Sequence, residues 1–161
     1  MKIHYVVIPL IGMAVLLAGS LLTRSGMTWF RTLRIPAWMP SARIITGVWT
    51  ILLILTSASA ILAWDGTLER DRGALAALYL VNCFLNVAFC YLFFVRHQMG
   101  SATLEALLLA ISVAVIMAQV FRVSPVAAIL LSPYLLWVLF AAWLSYTVFH
   151  LNAARDSYNG L

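Results

Sequence analysis

The sequence predicts an all-α membrane protein, in which five transmembrane helices form a bundle and a tryptophan- and proline-rich loop joins the first two. Composition is the first observation: 65% of the 161 residues are hydrophobic and 9% are charged, whereas soluble domains carry about 25% charged residues. The second observation is five charge-free stretches, at residues 3–23, 44–64, 73–95, 106–121 and 123–154. Because one spanning helix needs about 20 apolar residues, each stretch predicts one span.

Local signals set the limits of the first two helices. The first begins near Tyr5 and ends before Arg24. A basic residue before it and small residues near its end also fit a signal peptide, but its apolar run exceeds the ~7–15 residues of such peptides, which favours a retained helix. The second helix begins after Ser41 and ends where Asp65-Gly66 breaks it.

The remaining three helices follow from similar signals. The third begins near Gly73 and ends at the segment RHQMGS. The fourth reaches spanning length if Glu105 lies at the membrane interface. The fifth begins at Pro125, a favourable first-turn residue, and is too short to form two spans. The predicted helices are therefore residues 5–22, 42–64, 73–95, 102–121 and 125–152, in a single domain of residues 1–161.

Basic residues near the span ends predict the orientation, because cytoplasmic loops carry more of them. The N-terminal side collects Lys2, Arg70, Arg72 and Arg122. The opposite side collects Arg24, Arg31, Arg34, Arg43, Arg96 and Arg155. The larger second group predicts that the first loop and the C-terminus face the cytoplasm, and a short, leaderless bundle is typical of a bacterial inner membrane. The net charge of +5 requires only anionic lipid as a partner, and nothing indicates nucleic acid.

Polar residues inside the spans are the strongest functional signal, because each is costly in hydrocarbon and usually faces the bundle interior. Helical spacing places Asn82, Asn86 and Phe89 on one face of the third helix. The other inward stripes are Trp49 and Ser57 on the second helix, Glu105, Ser112 and Gln119 on the fourth, and Tyr134, Trp137, Ala141 and Ser145 on the fifth. Interhelical hydrogen bonding explains Ser57, Ser112 and Gln119. The asparagines and aromatic residues favour a cavity for a flat, mostly apolar ligand.

Conventional catalytic and metal sites are not predicted. The histidines at positions 4, 97 and 150 lie at span boundaries, which argues against a haem ligated inside the bundle. Cys83 and Cys90 are seven residues apart on one helix, about 10 Å along its axis, which is too far for a disulfide. No serine–histidine–acid or cysteine–histidine set lies on facing spans. Any reaction would therefore be photochemical or radical.

A pair of small residues predicts an association surface. Gly73 and Ala77 are four residues apart at the start of the third helix, a spacing that lets two backbones approach closely in membranes. We expect this pair to form a homodimer face. Packing within one chain is the alternative.

The segment between the first two spans carries a family resemblance. It reads WFRTLRIPAWMP at residues 29–40, and it is followed by GVWT at 47–50, NCFLNVAF at 82–89 and SPYLLWVLFAAWLSYTVFHLN at 132–152. In these motifs and in their order and spacing, the chain resembles the TspO/MBR family of tryptophan-rich sensory proteins and translocator proteins, in particular its Bacillus-type branch. The loop matches are Trp29, Phe30, Leu33, Pro36, Trp38 and Pro40, whereas Ile35 replaces the usual lysine and Ser41 the second proline. Asn82, Phe89 and Ser145 replace the common glutamine, tryptophan and asparagine, which bears on ligand preference rather than fold.

The resemblance implies a ligand pocket between the helices, over which the first loop closes as a lid. The implied lid residues are Phe30, Trp38 and Pro40. The implied pocket residues are Trp49, Asn82, Asn86, Phe89, Trp137, Ala141 and Ser145. The guanidinium groups of Arg31 and Arg34 suit the propionates of a porphyrin.

The resemblance also implies a function. Family members bind porphyrins, notably protoporphyrin IX, as well as isoquinoline carboxamide and benzodiazepine ligands, and they require no cofactor. Several bacterial members are associated with light- and oxygen-dependent porphyrin breakdown, for which Trp49 and Trp137 are the oxidisable side chains here. We therefore expect a tetrapyrrole-binding sensor or scavenger. The alternatives are a transporter, which the lack of an inverted repeat disfavours, and an interaction or assembly protein without ligand chemistry.

Overall fold

Five long helices account for nearly all of the chain. The computed structural model describes residues 3–158, with the side chains of residues 3–153, so Lys2 and Arg155 lie outside the described side chains. The helices are α1 (His4–Phe30), α2 (Ala42–Gly66), α3 (Arg72–Cys90), α4 (Met99–Phe121) and α5 (Pro125–Tyr158). A π-helical segment, Tyr91–Val95, continues α3, and a 3-10 turn, Glu69–Asp71, precedes it. Each of the five is long and apolar enough to span a membrane, which confirms the predicted fold class.

The helices form a closed ring in the order α1, α2, α5, α4, α3, because each of these neighbours contacts the next and α3 contacts α1. The apolar core lies mainly between α4 and α5, where Val113, Ile116, Val120, Leu131 and Val138 are almost fully buried. In contrast, α1 buries only Gly26, so most of its side chains face the membrane. The interior of the bundle is therefore formed mainly by α2, α3, α4 and α5, and α1 contributes at its C-terminal end, where Phe30 packs against Phe93.

The first helix is longer than predicted. It continues to Phe30 instead of ending near residue 22, so Trp29 and Phe30 belong to α1 and the α1–α2 loop comprises residues 31–41. The charge of Arg24 predicts an end before that residue, but Arg24 is exposed and its long side chain can reach polar surroundings without ending the helix. Trp29 is instead held by a parallel stack on His97, with ring centroids 4.0 Å apart.

The fourth helix also begins earlier than predicted, and this moves Glu105. Because α4 starts at Met99, it reaches spanning length without an interfacial position for Glu105. That residue is buried between the helices, with 6% of its surface exposed. This burial agrees with the inward stripe predicted for the fourth helix. Gln119, expected on the inward stripe, is exposed on the outer surface.

Gly26 lets α1 approach the π-helical segment more closely than any other residue type would allow. A Cβ atom built at Gly26 would overlap the backbone carbonyl of Phe94. This segment departs from α-helical bonding, since the N–H of Arg96 donates to the carbonyl of Tyr91 over 3.0 Å. The C-terminal half of α1 is thus held against the π-helical segment by a close approach of the two backbones.

The opposite end of the bundle is tied by polar contacts. The side chain of Asp65 at the end of α2 contacts His4 Nε2 at 3.0 Å and accepts a hydrogen bond of 2.6 Å from the hydroxyl of Tyr5. Arg72 lies over the ring of Trp64, with 5.6 Å from its guanidinium carbon to the ring centroid. These contacts join the start of α1 and of α3 to the end of α2.

Candidate functional site

A polar network crosses the centre of the bundle. The hydroxyl of Tyr134 on α5 donates to Asn82 Oδ1 over 3.0 Å, and Asn82 Nδ2 donates to Ser112 Oγ on α4 over 2.7 Å. Asn86 Nδ2 donates to the Tyr134 hydroxyl over 3.2 Å. The network therefore joins α3, α4 and α5, and it accounts for both asparagines as interhelical hydrogen-bonding residues.

Two tryptophans predicted for the pocket lie beside this network. Trp49 on α2 meets Tyr134 edge to face, with ring centroids 6.2 Å apart and planes at 67°. Trp137, one turn from Tyr134 on α5, also packs against the main core. Its indole N–H is buried and has no hydrogen-bond partner among the described residues. Because buried donors are nearly always paired, this N–H is the clearest unfilled polar position near the network.

Trp137 also lines an open groove between α2 and α5 with a volume of about 420 Å³. This volume falls within the range of small-molecule sites. The other lining residues are Val48, Ile51, Leu52, Pro133, Leu136 and Phe140. Since Ile51 and Leu136 are exposed on the outer surface, the groove opens toward the membrane. The groove exposes part of the Trp137 side chain, whereas its indole N–H stays buried.

The predicted pocket residues nearer the α1–α2 loop belong to a second cluster. Phe89 stacks on Phe93, with ring centroids 6.0 Å apart. Phe30 packs against the same Phe93 ring at 6.1 Å. On α5, the Oγ atom of the buried Ser145 lies 3.1 Å from Thr103 Oγ1 on α4, and Ala141 is partly buried one turn away. The aromatic and small residues of this cluster lie between the polar network and the loop.

The α1–α2 loop is held against α5. The buried amide of Asn152 binds both backbone groups of Arg34: the Arg34 N–H donates to Oδ1 and Nδ2 donates to the Arg34 carbonyl, each over 3.0 Å. Trp38 stacks face to face on Trp143, with ring centroids 4.4 Å apart and planes at 10°. Trp38 and Trp143 are 42% and 57% exposed, so Trp38 lies along α5 at the edge of the bundle.

Of the three implied lid residues, two therefore belong to the loop. Pro40 and Trp38 lie in it, whereas Phe30 is the last residue of α1 and packs beneath it. Arg31 and Arg34 are exposed at the loop end of the bundle. Gly73 and Ala77 are exposed on α3, and a Cβ at Gly73 would meet nothing within 4 Å. In the part of the chain that the structure describes, no group of three potential metal ligands occurs.

The sequence comparisons agree with this architecture. A model of the TspO/MBR family matches residues 5–151, which is nearly the whole chain. The chain belongs to the TspO/MBR family. This confirms the resemblance carried by the loop and the helix motifs.

Relatives within the TspO/MBR family come from bacteria and animals. The membrane protein YtaB of Bacillus subtilis is 35% identical over 124 residues, covering 77% of this chain and 80% of YtaB. The tryptophan-rich protein TspO of Bacillus cereus is 31% identical over 134 residues, or 83% and 87% of the two chains. The translocator protein of Ovis aries is 36% identical over 135 residues, or 82% and 79%. The similarity thus extends over the spans and the loop together.

Some residues of the site were not predicted from the sequence of this TspO/MBR chain. In the sequence, Asn152 marks only the end of the predicted fifth span, and Trp143 has no predicted role. A polar residue near a helix end usually lies at the membrane interface, so nothing local indicates that Asn152 binds a loop more than 100 residues away in the sequence. The seven-residue spacing from Ser145 was the available signal, because it places Asn152 on the same inward face of α5.

Proposed function

We propose that the protein binds a flat tetrapyrrole such as protoporphyrin IX inside its helix bundle and acts as a sensor or scavenger of that ligand. The observation that supports this most directly is the buried, unpaired indole N–H of Trp137 beside the edge-to-face pair of Trp49 and Tyr134. Flat aromatic ligands stack on indole rings and bury large apolar areas. Membership of a family that binds porphyrins and related ligands supports the same ligand class.

The charge distribution gives the ligand an orientation. Arg31 and Arg34 are exposed at the loop end, where carboxylates can remain near water while the ring enters the apolar interior. Guanidinium groups bind carboxylates well because their planar donors match the two oxygens. We therefore place the propionates at the α1–α2 loop and the macrocycle among the aromatic residues below it.

Light- and oxygen-dependent breakdown of the bound porphyrin forms a second part of the proposal. Trp49 and Trp137 are the oxidisable side chains assigned to it, since both are partly buried beside the polar network. Illumination of the saturated protein in air is then expected to produce new absorption bands that do not form in the dark. Replacing both tryptophans with phenylalanine is expected to slow the appearance of those bands.

A different function is favoured by one observation. Tyr134, Asn82, Asn86 and Ser112 already bond to one another. Such a network serves a purely structural bundle as well as a ligand site, so a membrane interaction or assembly protein is the second candidate.

The proposal also includes membrane placement and assembly. We place the protein in a bacterial inner membrane with the loop on the cytoplasmic side, because the exposed arginines concentrate at that end of the described chain. They are Arg24, Arg31, Arg34, Arg43 and Arg96 at the loop end, against Arg70 and Arg122 at the other. The exposed pair Gly73 and Ala77 remains the proposed homodimer face.

A titration with protoporphyrin IX in the dark tests the ligand site. We expect saturable quenching of tryptophan fluorescence, and a rise of roughly two- to tenfold in the half-saturating concentration for Trp49→Phe or Trp137→Phe, because aromatic contacts contribute about 0.5–1.5 kcal/mol beyond burial. The matched control is Trp64→Phe, which lies 15 residues from Trp49 at the far end of α2. Quenching that never saturates and is identical in all variants would indicate partitioning into detergent and would favour the second candidate.

A further inference from the structure

Glu105 is an acidic side chain buried inside the membrane-spanning bundle without a partner. Only 6% of its surface is exposed, both of its carboxylate oxygens are buried, and neither has a hydrogen-bond partner among the described residues. The ion pairs found in the described part of the chain all lie at the opposite end, near Asp65 and Glu69. A buried carboxyl group without a partner is costly, and in membrane helices it usually marks a functional position.

The interhelical hydrogen bonds fix the level of Glu105 in the bundle. Asn82 and Ser112 are bonded across α3 and α4. Glu105 lies seven residues before Ser112, and Phe89 lies seven residues after Asn82. Because these helices are antiparallel neighbours, Glu105 and Phe89 lie at the same level, two turns from the network toward the loop. The bond between Thr103 and Ser145 brings α5 to this level as well. Glu105 therefore lies at the same level of the bundle as Phe89 and Ser145, two of the residues assigned to the ligand site.

No donor among the described residues bonds to the Glu105 carboxyl group. Its neighbours on the buried face of α4 are the apolar residues Ala102, Ala106 and Leu109. The Tyr134 hydroxyl already donates to Asn82. The buried side chains of Ser59 and Asn152, in contrast, have protein partners, and the other buried group in the site without one is the indole N–H of Trp137, a donor. The Glu105 carboxyl group can therefore accept a hydrogen bond from a group that enters the site.

We propose that Glu105 determines ligand specificity by pairing with a hydrogen-bond-donating or protonated nitrogen on a flat aromatic ligand. This inference rests on the ligand site proposed above and adds the chemical class that the site prefers. A carboxylate at this level also disfavours ligand carboxylates, so acidic substituents point away from it toward Arg31 and Arg34. Charge-assisted hydrogen bonds in a dry interior are strong and directional, which makes this position selective.

A matched pair of probes tests this specificity. The first is an isoquinoline that carries a secondary amine, and the second is an isoquinoline carboxamide whose tertiary amide has no N–H. Both are titrated against the wild type, Glu105→Gln and the control Glu69→Gln, whose side chain is 92% exposed at the other end of the bundle. We expect Glu105→Gln to weaken binding of the amine by about tenfold or more and to change binding of the tertiary amide by less than about twofold. Binding of the tertiary amide also shows that the variant is folded.

Each contrary outcome has a separate meaning. Equal weakening of both probes by Glu105→Gln would assign the carboxyl a structural role and overturn the inference. Unchanged binding of the amine would overturn it as well, while saturable binding of the tertiary amide and of protoporphyrin IX would leave the proposed ligand site standing. If neither probe nor protoporphyrin IX bound the wild type saturably, the proposed function would fail and the inference with it.

Discussion

Replacing Gly26 with alanine is expected to destabilise the bundle by about 3 kcal/mol, the upper end of the cost of overpacking. The physical reason is that the new Cβ would overlap the backbone carbonyl of Phe94, and a backbone carbonyl cannot move aside as a flexible side chain can. The helix must then tilt away from the π-helical segment, which also separates Phe30 from Phe93. Unfolding of the purified protein in mixed micelles, followed by circular dichroism, measures this change.

Gly47→Ala is the matched control for this prediction. Gly47 lies inside α2, and a Cβ atom there would meet nothing within 4 Å. Alanine is favoured over glycine in a helix interior by up to about 1 kcal/mol, so this variant should be as stable as the wild type or slightly more stable. Equal stability of Gly26→Ala and the wild type would mean that α1 does not approach α3 as closely as described.

The second large effect is expected at Asn82, whose amide links α4 to α5. Asn82→Leu removes the acceptor of the Tyr134 hydroxyl and the donor to Ser112. We expect a loss of about 1–3 kcal/mol, since buried polar groups are left without partners. A double-mutant cycle with Tyr134→Phe should give a coupling energy of about 1 kcal/mol, near the range measured for hydrogen bonds between membrane helices.

The control for the cycle is Ser132→Ala. Among the described residues, the Ser132 hydroxyl bonds only to the carbonyl of Ile129 in its own helix, so its loss should leave interhelical packing unchanged. Additive effects of Asn82→Leu and Tyr134→Phe would show that the two side chains do not interact, and the network would then not be the centre of the site.

The number of spans was predictable because charge is expensive in hydrocarbon. Each charge-free stretch became one helix. The helix ends were less predictable, because a charge-free stretch shows only which residues can lie in hydrocarbon. The backbone hydrogen bonds of the helix can continue beyond that stretch, as they do in α1 and α4. Arg24 lies within α1 on an exposed surface, and Glu105 lies within α4 on a buried one. The sequence does not show whether a charged residue within a helix is exposed or buried, since that depends on which other helices surround its side chain.

The site was predictable as a set of faces but not as a set of contacts. Periodicity placed Asn82 and Asn86 on one face of α3 and Tyr134 on the inward face of α5. It did not give the order of the helices around the ring, so the partners of Tyr134 could not be named. The contact between Asn152 and Arg34 depends on the same order, because α5 must end beside the α1–α2 loop.

Photoaffinity labelling tests the intramembrane ligand site most directly. The reagent is an isoquinoline carboxamide that carries a diazirine, applied to the protein in lipid nanodiscs with and without excess protoporphyrin IX in the dark. We predict labelling of the inward-facing residues Asn82, Phe89 and Trp137, and loss of that labelling when the porphyrin is present. Labelling confined to membrane-facing residues such as Phe84 and Leu104, unaffected by porphyrin, would contradict an interior site and leave a structural bundle.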